Sequence, residues 1–194
     1  MAKNINYLGR VKLPFDSILS TINKKSTKVD ALFDTERVSY FQHRSKKEQR
    51  FSKKIIKMYH SKKDISFFFV YYNDKLVNLI PNSFWKKFNI NKDTSQIAIL
   101  RHPPGSVSIP HIDRYGVMFK KSGMEYNQFS KKIKRLWISL TRPKMGHALF
   151  VGNDVAYNLK RGTVLTFNKD VVHSGCNIGY EDRFVLTVTG LHGQ

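Results

Sequence analysis

The chain has 194 residues, a mass of 22.6 kDa, 41% hydrophobic and 13% aromatic residues. That size and apolar content suit one domain with a buried core, and exclude a disordered tail or a disulfide-stapled mini-protein. Lys and Arg number 34 against 14 Asp and Glu, a formal charge of +20 that would attract polyanions but says nothing of fold. Cys176 is the only cysteine, so no intramolecular disulfide forms and a reducing, cytoplasmic compartment is expected. The longest apolar run, residues 65–72, is too short to span a bilayer, and residues 1–10 hold no signal-peptide core. No membrane association is expected.

The basic excess is uneven. The first 92 residues hold 20 basic and 7 acidic side chains, the remainder 14 and 7. The densest run lies at residues 44–57. However, 24 of the basic residues are Lys, and Asn, Ile, Phe and Tyr are abundant, a mixture that AT-rich coding DNA favours. Nucleic-acid contact is compatible with this charge but is not the favoured reading.

In chain order, Asp16 is expected to cap a helix carrying Ile18, Leu19 and Ile22 at helical spacing. Residues 45–59 read as a second helix with Phe51, Ile55 and Met58 on one side. A buried strand is expected at 67–72 and a short helix at 82–88. From Gln96 onward strand follows strand: 96–101, 107–112, 135–141, 148–151, 163–167 and 183–189. A breaker at 102–105 and turns rich in Gly, Pro, Asn and Asp separate them, and the polar stretch 120–132 reads as a loop. The pattern predicts a mainly β sandwich or jelly roll. We expect a single domain over 1–194, with a mixed helical part at 1–89 and a strand-rich core at 96–190.

Three features of that core carry chemistry. His111 and Asp113 stand two apart, which on a strand puts an imidazole and a carboxylate on one side. His173 follows the 163–167 strand, 62 residues after His111. Two imidazoles and one carboxylate make the facial triad that suits Fe(II). Arg183, ten residues after His173, opens an apolar strand, where its fork could grip the far carboxylate of a dicarboxylate. The other histidines read more blandly. His43 and His60 sit in basic, surface-like segments, His102 in a turn before two prolines, and His192 in the C-terminal tail. His147 marks a strand end, near the site or apart from it. Arg114 reads as a solvated side group and Cys176 as a small residue in a loop.

These residues support a resemblance. Residues 96–190 are similar to the core of Fe(II)/2-oxoglutarate-dependent dioxygenases, most of all the aspartyl/asparaginyl hydroxylase branch, which includes small proline hydroxylases. The segment LKRGTVLTFNKDVVH at 159–173 resembles that branch's G-x-x-x-x-F-x-x-x-x-x-H, and RFVL at 183–186 resembles its co-substrate arginine strand. Residues 8–16 resemble its N-terminal entry, less specifically. The resemblance implies a double-stranded β-helix (jelly roll, cupin-like) core with N-terminal helices packed outside. It implies Fe(II) binding by His111, Asp113 and His173, with the distal carboxylate of 2-oxoglutarate on Arg183. RLWISL at 135–140 resembles an Arg-x-His-x-x-Leu strand that helps hold the co-substrate. This makes Arg135 a second anchor, while Trp137 replaces the histidine and reads as a pocket wall.

The implied activity is hydroxylation of a C–H bond in an amino-acid side chain, belonging to a peptide, protein or free amino acid. The co-substrates would be 2-oxoglutarate and O2, the co-products succinate and CO2. Two alternatives stand beside it. One is a nucleic-acid oxygenase or demethylase, motivated by the basic N-terminal part. The other is a non-catalytic metal-binding jelly-roll module, which would bind iron but not 2-oxoglutarate.

Overall fold

A computed structural model describes residues 4–22, 27–29, 68–72, 75–108, 110–113, 115, 123 and 131–192. The helix expected at 45–59, His43, His60, Arg114 and most of the polar stretch 120–132 lie outside the described residues. Among the described residues, β1 (Ile5–Arg10), α1 (Phe15–Ser20), β2 (Thr27–Val29) and β3 (Phe68–Tyr72) lead into α2 (Leu76–Leu79) and α3 (Asn82–Phe88). Eight strands follow: β4 (Gln96–His102), β5 (Ser106–Val107), β6 (Ile133–Ser139), β7 (His147–Val151), β8 (Asp154–Tyr157), β9 (Thr163–Phe167), β10 (His173–Asn177) and β11 (Arg183–Leu191). No helix among these residues is long and apolar enough to cross a membrane.

From β4 on, the polypeptide winds between two antiparallel sheets. The larger runs β1-β9-β6-β11-β4-β3-β2 and the smaller β5-β10-β7-β8. The order β9-β6-β11-β4 facing β5-β10-β7-β8 is that of a double-stranded β-helix, so the fold is a mainly β jelly roll. β1 pairs with β9, and β3 with β4, so N-terminal strands extend the larger sheet on both sides.

Alternation along the strands divides the apolar residues between two cores, because successive side chains face opposite sides. Ile97, Ile99, Leu136, Ile138, Leu186 and Val188 face outward, onto Ile18, Leu76, Ile80, Phe84, Trp85 and Phe88 from the helices. Ala98, Leu100, Trp137, Leu165 and Val185 face inward, onto Leu149, Val151 and Ala156 of the smaller sheet. The helices therefore pack outside the barrel, and the interior between the sheets is left for the site.

Local chemistry accounts for several boundaries. α1 starts one residue before Asp16, which lies in its first turn and does not cap it; Pro14 takes the N-cap position instead. α3 ends on Asn89 in the left-handed conformation, a common helix stop. Gly162, at the turn into β9, has φ +85°, and a Cβ there would meet the Val11 carbonyl oxygen at 2.3 Å. Only glycine lets the segment after β1 cross so closely.

Strand 107–112 is shorter than its sequence suggests. β5 stops at Val107, and Pro110 has no N–H with which to continue a ladder. The structure adds β1, β2, β8 and β10, which the sequence pattern does not mark.

Ile138 is fully buried in the helix-side core, away from the interior. Ile138→Ala should lower unfolding stability by about 2–5 kcal/mol in a denaturant titration. Metal binding by the folded fraction should be unchanged, because the interior wall is untouched.

Candidate metal centre

His173 opens β10 and makes a reciprocal backbone pair with His111. The His173 N–H donates to the His111 carbonyl at 2.9 Å, and the His111 N–H donates to the His173 carbonyl at 3.0 Å. This isolated antiparallel bridge puts the two imidazoles on one side, their ring centroids 4.4 Å apart. Asp113 then turns its carboxylate toward both rings. Its Oδ1 lies 3.8 Å from His111 Nε2 and its Oδ2 3.5 Å from His173 Nε2. One ligand atom from each of the three residues falls within 4.8 Å of the others. The three residues expected to form a triad are thus brought together. The means differs from expectation: Ile112 and Asp113 lie outside any strand, so the backbone bridge to β10 creates the cluster and period-two alternation does not.

The donors fit a divalent transition metal. His173 Nδ1 lies 3.1 Å from the Val171 carbonyl, which can only accept, so that nitrogen carries the proton and Nε2 keeps its lone pair. Nε2 is buried and has no hydrogen-bond partner among the described residues. Burial holds the His173 pKa below the ordinary imidazole range, against the opposing pull of Asp113. A neutral, buried imidazole with a lone pair aimed at a carboxylate is a ligand in waiting.

Arg135 reaches this cluster. Inward-facing on β6, it places Nη1 3.1 Å from Asp113 Oδ2, and its guanidinium carbon lies 5.4 Å from the Trp137 ring centroid. Trp137 meets the His173 ring edge-on at 5.6 Å, and Phe167 lies 4.8 Å from the same ring. These aromatics form a wall that keeps water from the imidazole.

Arg183 occupies a different part of the interior. It is the first residue of β11, only 4% exposed, and lines a cleft with Trp137, Ser139, His147, Leu149 and Val185. Among the described residues it makes no ion pair with a carboxylate, and burial lowers its pKa to about 10. His102, expected in a turn, is instead the last residue of β4, 1% exposed and directly opposite Arg183 in the ladder. His147 opens β7 and lines the same cleft. Cys176 is likewise in a strand, β10, and not in a loop; burial pushes its thiol pKa up, as for an inert core cysteine.

A second cavity, of about 330 Å³, opens beside Arg135 and Phe167 and is also lined by Tyr115, Thr166, Lys169 and His192. His192 is not a free tail residue; it bridges to Ile90.

No protein-family model matches this sequence, and no curated protein matches it. Solved structures do match. A predicted oxalate decarboxylase from Thermotoga maritima is 15% identical, over 65% of this chain and 82% of that one, with a TM-score of 0.39. A cupin 2 conserved barrel domain protein from Salinispora arenicola is 15% identical, over 63% and 75%, with a TM-score of 0.37. A nickel complex of the non-heme monooxygenase ThoJ is 17% identical, over 50% and 43%, with a TM-score of 0.38. The likeness is one of fold.

Replacing His173 removes the buried Nε2 donor. His173→Ala should weaken Mn(II) binding by about 100-fold or more, exceeding the usual effect of losing a residue behind a ligand. Calorimetric titration measures the loss, and an unchanged far-ultraviolet circular dichroism spectrum shows that the barrel persists.

Proposed function

We propose that this protein is an Fe(II)- and 2-oxoglutarate-dependent oxygenase that hydroxylates a C–H bond of an amino-acid side chain. One observation carries the reading. The same barrel interior holds the His111–Asp113–His173 donors and a buried cation, Arg183, that has no carboxylate partner among the described residues. A guanidinium removed from water without a counter-charge is costly, and a ligand carboxylate offsets that cost through two parallel N–H···O bonds.

Spacing supports a dicarboxylate. A Cβ at Gly175 would stand 2.9 Å from Arg183 Nη1. Gly175 is two residues beyond His173 on β10, roughly 7 Å along a strand. An extended five-carbon keto dicarboxylate covers such a span, with its distal carboxylate on Arg183 and its keto-acid end toward the triad. Trp137, Leu149, Leu165 and Val185 line the cleft at Arg183, so the pairing would form in a low-dielectric, water-poor space.

His111, Asp113 and His173 would hold the iron, and Arg135 would keep the Asp113 carboxylate oriented. The chemistry supplied by iron bound there is O2 activation coupled to oxidative decarboxylation of 2-oxoglutarate to succinate and CO2, with one oxygen atom delivered to the substrate C–H bond. Trp137 and Phe167 exclude water beside His173, limiting side reactions. The cavity beside Arg135 and Phe167 is ligand-sized and is lined by Arg135, which pairs with Asp113; it would take the amino-acid side chain of the substrate.

Anaerobic titration with Fe(II) and 2-oxoglutarate tests the reading. Wild type should develop the weak visible charge-transfer band of the chelate, and Asp113→Ala should not. Arg183→Ala should bind Fe(II) normally but weaken 2-oxoglutarate by about 100-fold, the weight of two charge-assisted hydrogen bonds. Metal binding without any chelate band would replace the oxygenase by a non-catalytic metal-binding module.

A further inference from the structure

The Arg183 guanidinium raises a question that its ligand alone does not answer: what holds it in place. Arginine carries considerable rotamer freedom, and a guanidinium must be fixed to grip a carboxylate with both N–H groups. The usual device is an Asp or Glu beside the arginine, and none pairs with Arg183 among the described residues. Its neighbour is His102, whose Nδ1 lies 3.4 Å from Arg183 Nη1.

We infer that His102 is a positioning residue that fixes the Arg183 guanidinium for anion binding while leaving its charge uncompensated. The inference deepens the proposed function and rests on that reading of Arg183. A histidine accepts the guanidinium N–H through a ring nitrogen without contributing negative charge. A carboxylate in its place would orient the arginine equally well, but would neutralise it and repel an incoming dicarboxylate.

Four observations converge on this arrangement. First, β11 and β4 pair with Arg183 directly opposite His102, so both residues project from the ladder on the same, inward side. Second, Gly175 clears the space both groups occupy: a Cβ there would fall 2.9 Å from Arg183 Nη1 and 3.1 Å from His102 Nε2. Third, the backbone of His102 is itself fixed, because Asn177 Nδ2 donates to its carbonyl at 2.8 Å and to that of Glu181 at 2.7 Å. Fourth, His102 stays uncharged: burial, then the Arg183 charge, holds its pKa well below the ordinary range.

The test compares two keto acids on the Mn(II)-loaded protein by calorimetry. 2-Oxoglutarate has a distal carboxylate for Arg183; pyruvate has none. His102→Leu should weaken 2-oxoglutarate on the order of tenfold, the weight of one hydrogen bond to a charged group, and leave pyruvate unchanged. His102→Gln, whose amide oxygen can accept from the guanidinium, should recover most of the loss. Gly175→Ala, which pushes a methyl group toward both Arg183 Nη1 and the His102 ring, should reproduce the selective loss with the histidine itself retained. Equal weakening of both keto acids by His102→Leu, or undiminished 2-oxoglutarate affinity in a folded variant, overturns the positioning role. If His102→Leu does not fold, Gly175→Ala and His102→Gln decide alone: an unaltered 2-oxoglutarate to pyruvate ratio in Gly175→Ala, or a His102→Gln loss as large as in Arg183→Ala, overturns it. Failure of the proposed function looks different. In that case wild type itself does not prefer 2-oxoglutarate over pyruvate, and Arg183→Ala changes nothing.

Discussion

Two backbone hydrogen bonds, between His111 and His173, are the constraint on which the site depends. Regular pairing of β5 ends before them, at a point where Pro110 offers no donor. Past that break, this pair returns the backbone to β10 and gives residues 111–113 a fixed position. β10 can serve as the reference because it lies between β5 and β7, paired on both sides. Without the bridge, the His-x-Asp segment would carry two of the three donors on an untethered stretch. With it, each donor's position follows from that of a central strand.

The interior then separates two cations by what they meet. Arg135 faces the Asp113 carboxylate and balances it, so the donor cluster carries little net charge before any ion arrives. Arg183 faces a neutral imidazole and keeps its charge. β6 contributes the first cation and β11 the second, on adjacent strands of one sheet with Trp137 at their junction. The same inward alternation of residues thus produces a balanced region beside the donors and an unbalanced one at Arg183. The apolar row between them keeps the two from mixing.

Much of this is legible in the sequence because it rests on short-range pattern. Alternation marks β4, β6, β7, β9 and β11, and residue type marks His111, Asp113, His173 and Arg183. What escapes depends on register between distant segments. His102 precedes Pro103 and Pro104 and so resembles the start of a turn; its partner is 81 residues away, opposite it across a ladder. β10 reads HSGCN, with no alternation and no β-branched residue, because it is buried along its whole length and its glycine leaves room for a neighbour. β5 is overestimated for the converse reason, since Val107 and Ile112 suggest a strand that Pro110 interrupts. Arg135 is visible as a cation, but its position on the Asp113 carboxylate is not.

The buried Nε2 of His173, left without a hydrogen bond among the described residues, has a consequence for the persistence of the whole molecule. Such a nitrogen loses its water on folding and receives no hydrogen bond from the described residues in exchange. A metal ion that binds it recognises only the folded state, since the three donors are scattered over 63 residues of sequence, from 111 to 173, once the bridge is broken. By mass action, an ion bound there would favour the folded barrel over the unfolded chain. Scarcity of the ion would shorten the protein's lifetime, and abundance would extend it, with no sensor beyond the ligands themselves.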